Sequence, residues 1–203
     1  MKTLPIELNA FPFYTREKSN EKQLKNRCGR DFIYYALCYY HPDTFGNAGI
    51  TPIEIDRRKL FGFPVPSWLA WTQIQFYKIA SFLRKNELKL SINNINVNSF
   101  FDFLNCTLFS RSTFEHAIQK IEKGISSGTA MGIDIKVGAG GLLDHVMFVY
   151  GYDEENLYVF DTVKAPLDYT RITTDNRMYM KLAKEEVKRR WTRFGRVWEI
   201  RRV

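Results

Sequence analysis

Cys28 has the sequence setting of a nucleophilic cysteine. It lies in the segment Asn26-Arg27-Cys28-Gly29-Arg30-Asp31, directly before an apolar run of helical spacing. The free backbone N–H groups at a helix start, and the positive end of the helix dipole, favour a thiolate over a thiol. Arg27 and Arg30 add positive charge nearby. We therefore expect Cys28 to be the attacking group of an enzyme.

The other two cysteines lack this setting. Cys38 lies inside the same predicted helix, and Cys106 lies in an apolar stretch. Three cysteines without CxxC spacing disfavour a disulfide framework or a zinc ribbon and fit a reducing compartment. The sequence therefore predicts a cytoplasmic protein that needs no structural metal.

Three histidines are candidates for the catalytic base. His41 precedes a proline at a predicted helix end, which is typical of a helix cap. His116 falls on the polar side of a later helix, which is typical of a surface residue. His145 begins a strand that is apolar on both faces, so we place it at the rim of a central strand. We expect His145 to be the general base.

Two further groups complete the predicted site. Asp161 closes the next strand and can orient the imidazole by accepting a hydrogen bond from it. Asp144 is the rival orienting group, but neighbouring residues along a strand point to opposite faces. An oxyanion hole needs two donors aimed at the developing negative charge. The backbone N–H of Cys28 is one, and the amide of Gln23 is the second, with Asn26 as the alternative.

The turn after the His145 strand decides whether His145 and Asp161 share a sheet face. With a regular four-residue loop over residues 153–156, facing residue numbers add to an odd sum, and the two side chains project to opposite faces. A loop of three or five residues, or a β-bulge near Gly151, returns them to one face. The triad hypothesis therefore predicts one of these irregularities.

Periodicity predicts the elements that position these groups. Helical spacing covers residues 32–40, 67–89, more weakly 98–104, and 112–128, where Ser112 to Glu115 forms a capping box. The period then changes to two, which predicts strands at residues 131–137, 145–150, 157–160 and 196–201, with a helix at 181–194. Helices first and an antiparallel sheet afterwards predict an α+β fold.

Length and composition support one large domain. With 203 residues, of which 45% are hydrophobic, the chain can bury a sizeable core. It has no internal repeat or low-complexity linker, so we expect a single domain over 1–203, with a helical half at about 20–128 and a sheet half at about 129–203. No run approaches the roughly 18 apolar residues that span a bilayer, and no apolar signal region precedes Arg16.

The net charge of +8 is concentrated near the end of the chain. From Lys164 onward there are twelve Lys and Arg against five Asp and Glu, and Arg189, Arg190, Arg193 and Arg196 surround Trp191. Such a cluster can track a phosphate backbone. The favoured interpretation is the solvated face of one C-terminal helix, so a nucleic-acid partner is not expected.

The sequence has no complete motif for a dinucleotide cofactor or a metal ion. The glycine-rich stretch at residues 138–141 has Leu143 where a dinucleotide loop requires its third glycine, and no helix is predicted after it. No two histidines have the spacing of metal ligands. We expect no cofactor and no catalytic metal.

The chain contains, in this order, Gln23, Cys28-Gly29 followed by a helix, Asp144-His145-Val146-Met147-Phe148-Val149-Tyr150-Gly151-Tyr152-Asp153, and Val159-Phe160-Asp161. This order of motifs resembles that of the papain-like cysteine peptidases. Within them it looks most like the branch that includes the bacteriocin-leader-processing, double-glycine peptidases. The resemblance implies a helical half and a sheet half that meet at a cleft. It also implies roles for four residues: nucleophile for Cys28, base for His145, orienting carboxylate for Asp161 and oxyanion donor for Gln23. Arg30-Asp31-Phe32 depart from the small residues that commonly follow Cys-Gly in these relatives, as Asp161-Thr162 departs from their Asp-Pro.

The leading hypothesis is a thiol hydrolase that cleaves a peptide or amide bond through an acyl-enzyme. A second interpretation, as an acyltransferase or transglutaminase-like enzyme, passes the same acyl group to an amine or thiol. A third interpretation is an inactive papain-like binding module with a basic C-terminal helix. Its binding would not depend on Cys28.

Overall fold

The computed structural model describes residues 1–6, 28–46, 59–60, 63–64, 74–99, 101–102, 105–106, 109–137, 143–160, 169–171, 179–191 and 195–203. The predicted site residues Gln23 and Asp161, and the alternative Asn26, lie outside this part of the chain. Cys28 and His145 lie within it, so half of the predicted site is described.

The principal helices of the described part are α1 (Cys28–Tyr40), α2 (Ile74–Lys85), α3 (Phe114–Ser126) and α4 (Lys184–Arg190), and a short π-helical turn covers Pro42–Gly46. Residues 101–102 and 105–106 are also helical. Helix α1 begins four residues before the predicted start, at Cys28 itself. None of the helices described is long and apolar enough to cross a membrane.

The strands are β1 (Lys2–Thr3), β2 (Lys59–Leu60), β3 (Phe63–Pro64), β4 (Leu88–Ile92), β5 (Ile95–Asn96), β6 (Ala130–Val137), β7 (Leu143–Tyr152), β8 (Asn156–Phe160), β9 (Tyr169–Arg171), β10 (Tyr179–Ala183) and β11 (Arg196–Arg202). One antiparallel sheet has the order β5-β4-β11-β6-β7-β8-β10-β9, and β1 also pairs with β7. Strands β2 and β3 form a separate hairpin. The mixed helix and antiparallel sheet confirms the α+β prediction.

The sheet does not come only from the C-terminal half. Strands β4 and β5 arise from the part expected to be helical, and β4 pairs with the last strand, β11. Their turn is Asn93-Asn94, and both residues have positive φ, at 47° and 71°. A two-residue turn with two positive φ angles matches the right-handed twist of a hairpin, and asparagine tolerates it well.

Helix α1 is buried on nearly every side, as its sequence predicted. Its members Ile33, Ala36 and Leu37 have 0% exposure. At its C-terminal end the Tyr40 hydroxyl donates to the Ile200 carbonyl, at 2.7 Å, and accepts from the Ala130 N–H, at 3.1 Å. These two bonds fix the end of α1 to the ends of β11 and β6.

Helix α3 confirms the helix predicted at residues 112–128, with one change at its start. The N-cap is Thr113, whose hydroxyl accepts a hydrogen bond from the His116 N–H. This bond satisfies one of the free donors of the first turn. After the helix ends, Gly128 takes a φ of +72°, a conformation that glycine adopts at no steric cost.

The C-terminal helix is shorter than predicted, and this corrects the interpretation of the basic cluster. Residues 179–183 form β10, and α4 ends at Arg190. Arg189 and Arg190 both bind the carboxylate of Glu186, at 2.7 and 3.2 Å, and Arg196 is buried in β11. The Arg189 side chain is 62% exposed on α4 and fits the predicted solvated face, whereas Arg196 belongs to the sheet. The described arginines of the cluster therefore do not all lie on one helix face.

Gly132 allows α1 to lie close to the sheet, and we expect Gly132→Ala to destabilise the protein. A Cβ on Gly132 would stand 2.7 Å from Cε2 of the buried Phe32 ring. Overpacking of this kind costs about 1–3 kcal/mol, which exceeds the roughly 0.5–1 kcal/mol gained by removing a flexible glycine. Urea unfolding measures the loss directly.

Gly29→Ala is the matched control for this experiment. Its added Cβ would meet Cη2 of Trp198 at 3.3 Å, so the ring need move only a few tenths of an ångström. We expect a smaller loss than for Gly132→Ala. Equal losses in the two variants would contradict the close contact of Phe32 with β6.

Candidate active site

Cys28 occupies the position that the sequence predicted, at the first residue of a 13-residue helix. Its side chain is 5% exposed. The first backbone N–H groups of a helix have no partner within the helix, and Cys28 lies at this end of α1. Asp31 in the same turn is also buried.

The other two thiols have surroundings that keep them protonated. Burial raises the pKa of Cys38 to about 12, and burial raises the pKa of Cys106 to about 11. A thiol with such a pKa contains almost no thiolate at neutral pH, and the thiolate is the nucleophile. Cys38 and Cys106 are therefore poor candidates for a nucleophile.

The three histidines have different surroundings. The His41 ring lies 3.0 Å from the Asn86 carbonyl and joins the end of α1 to the end of α2, which is a structural role. His116 is exposed on α3. His145 is 7% exposed and belongs to β7, between β6 and β8 in the sheet. It is the buried member of the three.

Contacts along α1 show which strands it packs against. Phe32 packs against Phe148, with ring centroids 6.0 Å apart, and Phe148 pairs with Gly132. The other end of α1 is fixed at Ala130. The first turn of α1 lies near β11, since a Cβ on Gly29 would stand 3.3 Å from the Trp198 ring. Helix α1 therefore packs on the strand that carries His145 and also reaches β11.

The register of β7 gives the sheet face of each residue. Gly132 and Phe148 face α1, and they alternate with Ile133, Ile135 and Met147 on the opposite face. His145 pairs with Ile135. Since paired residues share a face, the Cβ of His145 lies on the side away from α1. The His145 side chain therefore starts on the sheet face opposite to the one that carries α1 and Cys28.

The predicted irregularity between β7 and β8 is present. Tyr152 faces Leu157, as in a four-residue hairpin, but Val149 faces Val159, so the sum of facing numbers falls from 309 to 308. The shift is a β-bulge between Val149 and Gly151. The bulge prediction is confirmed; Asp161 itself is outside the described residues.

The Gly151-Tyr152-Asp153 segment that contributed to the family resemblance has structural roles. A Cβ on Gly151 would stand 2.8 Å from the Lys2 carbonyl oxygen of β1. The Tyr152 hydroxyl lies 2.9 Å from the Ser126 hydroxyl. Asp153 accepts hydrogen bonds from the Asn156 N–H and the Tyr158 hydroxyl, which hold its pKa well below its usual range.

Sequence reasoning missed a buried ion pair on the face that α1 covers. Arg196 Nη1 lies 3.0 Å from Asp134 Oδ2, and the two residues pair directly between β11 and β6. The Asp134 side chain is 1% exposed and that of Arg196 is 10% exposed. The only sign of this pair in the sequence is that Asp134 interrupts an apolar strand between Ile133 and Ile135.

Comparisons with known proteins add no assignment. No protein-family model matches the chain, and no curated protein or solved structure is significantly similar to it.

Proposed function

We propose that the protein is a papain-like thiol hydrolase that cleaves a peptide or amide bond. The observation that carries the proposal is the position of Cys28, the first residue of a buried helix packed along the strand that bears His145. The pKa values of the other two thiols leave Cys28 as the suitable nucleophile. The bulge in β7 supports Asp161 as the partner of His145.

In the proposed reaction His145 takes the proton of Cys28, and Sγ attacks the carbonyl carbon of the substrate. The negative oxygen that forms accepts hydrogen bonds from the Cys28 backbone N–H and, in this proposal, from Gln23. Imidazolium at His145 then protonates the leaving amine, and a thioester to Cys28 remains. Water attacks the thioester while His145 takes its proton, the C–S bond breaks and the carboxylic acid leaves, and His145 returns the proton to Cys28 Sγ.

The reaction requires the imidazole of His145 to reach Sγ of Cys28. Because the Cβ of His145 starts on the face away from α1, its ring must pass the β6–β7 end of the sheet to reach Sγ. His145 is two residues from the start of β7 and pairs two residues before the end of β6. It is therefore close to that end.

The rate of alkylation by iodoacetamide, measured against pH, tests this condition. In the wild type we expect Cys28 to react rapidly well below the free-thiol pKa of about 8.5, since an imidazolium stabilises the thiolate. In His145→Ala the midpoint should rise towards about 8.5, because the stabilising charge is absent. Mass spectrometry of the separated peptides assigns the rate to each cysteine.

Cys38 and Cys106 provide internal controls because their raised pKa values predict slow reaction throughout this range. His116→Ala is the matched variant, since it removes an exposed imidazole. A Cys28 profile that is the same in the wild type and in His145→Ala would reject the thiolate–imidazolium pair.

The register of His145 favours one alternative, an inactive binding module on a similar frame. In that case the thiol and the imidazole stay on separate faces, and Cys28 reacts as an ordinary buried cysteine. The alkylation profile separates the two functions, because the module predicts no effect of His145→Ala on the reactivity of Cys28.

A further inference from the structure

A groove of about 450 Å³ lies between the polar side of α3 and the end of β11. Lys120 and Lys123 line it from the helix, and Glu199 and Arg201 line it from the strand. Glu199 pairs with Met131, so it belongs to the sheet face away from α1. The groove is therefore separate from the side of the sheet on which Cys28 lies.

The groove has more positive than negative charge. Glu199 contacts both Lys120, at 3.0 Å, and Arg201, at 3.4 Å. Lys123 makes no ion pair with the residues that the structure describes. One carboxylate therefore faces three cationic side chains, which leaves an excess of two positive charges in a concave site.

Lys120 contributes charge to the groove. Its side chain is 14% exposed, and its Nζ is buried and makes an ion pair with Glu199. A ligand in the groove would therefore contact Lys123 and Arg201, and Lys120 would act on it through its charge.

The strand pairing of Arg201 also favours a negatively charged ligand. Arg201 of β11 pairs directly with Lys89 of β4. Like charges opposite each other on neighbouring strands destabilise a sheet. Arg201 is 47% exposed at the rim of the groove, so an anion bound there would relieve this repulsion.

We propose that the groove binds a small hydrophilic polyanion, either a short polyphosphate or a phosphorylated sugar. The three cations suit several negative oxygens. Gln119 and Thr129 offer amide and hydroxyl groups for sugar hydroxyls. Among the described lining residues the only ring is the imidazole of His116, so the groove offers little surface on which a nucleobase could stack.

Isothermal titration of the whole chain with tripolyphosphate, at constant ionic strength set with sodium chloride, tests this proposal. We expect saturable binding of one ligand per chain. The double variant Lys123→Gln, Arg201→Gln should weaken binding at least about tenfold, since two charge-assisted contacts are lost. A parallel titration with a hexose phosphate distinguishes the two ligand sources, because the tighter ligand identifies whether the sugar is recognised.

Lys85→Gln is the matched control, since it removes one exposed positive charge from α2, outside the groove. It should leave the affinity unchanged. Absence of saturable heat with either anion at millimolar concentration would overturn the proposal, as would equal weakening by Lys85→Gln. Both groove substitutions are at exposed positions, so folding should persist, and a thermal unfolding scan without ligand confirms it.

Discussion

Cys28→Ala is expected to reduce turnover of a peptide or amide substrate by at least about 10⁴-fold, because removal of a nucleophile eliminates the covalent route and leaves only weak residual catalysis. The effect should fall on kcat, with little change in the binding of substrate. Incubation with a library of short peptides of varied sequence, followed by mass spectrometry, measures hydrolysis and identifies the bond that is cleaved.

Cys38→Ala is the control for this variant. Cys38 belongs to the same helix and is also buried, so its replacement tests the cost of a lost sulfur in α1 without touching the proposed site. We expect Cys38→Ala to lose some stability and to keep its turnover. Full hydrolytic activity in Cys28→Ala, measured in protein that is still folded, would end the proposal of a cysteine nucleophile.

Asp134→Ala is expected to cause the largest loss of stability. It leaves the Arg196 guanidinium without the carboxylate that it contacts at 3.0 Å in a buried position. Breaking a buried pair by removing one partner typically costs about 3–5 kcal/mol, since a buried charge loses its compensation. Urea unfolding at neutral pH measures this change.

The double variant Asp134→Leu, Arg196→Met gives the control. Replacing both members of a buried ion pair by apolar groups of similar size is often neutral or stabilising. We therefore expect the double variant to recover most of the stability that Asp134→Ala loses. If the single and double variants are equally unstable, the loss comes from packing and not from the uncompensated charge.

The parts of the fold that periodicity specifies locally were predicted well. The apolar spacing of α1, the cap of α3 and the alternation in β6, β7, β8 and β11 are each set by neighbouring residues along the chain. The bulge in β7 was predicted differently, from the requirement that His145 and Asp161 share a face. Its presence is the most specific sequence-based expectation that the structure confirms.

The missed features depend on partners far away in the sequence. The β4–β5 hairpin had a local signal in Asn93-Asn94, but its strands are short and β4 is stabilised by pairing with β11, more than a hundred residues later. The Asp134–Arg196 pair likewise joins residues 62 positions apart. Arg196 was predicted at the start of a strand but was grouped with the basic cluster, because charge alone carries no information about burial.

The candidate site was predicted only in part, for a similar reason. The helix-start position of Cys28 is a local property, and the unsuitability of Cys38 and Cys106 follows from their burial. The side of the sheet that α1 covers is set by packing of Phe32 on Gly132 and Phe148, which the sequence did not reveal. That packing is what places the Cβ of His145 on the other face.

The lengths of the outermost strands bear on how the molecule behaves beside other copies. Among the residues that the structure describes, the path of the sheet ends in β5, with two residues, and in β9, with three residues. Strands so short present few backbone N–H and C=O groups for pairing with another chain. At high concentration, edge-to-edge aggregation of folded molecules should therefore be slow, even though the interior strands are strongly apolar.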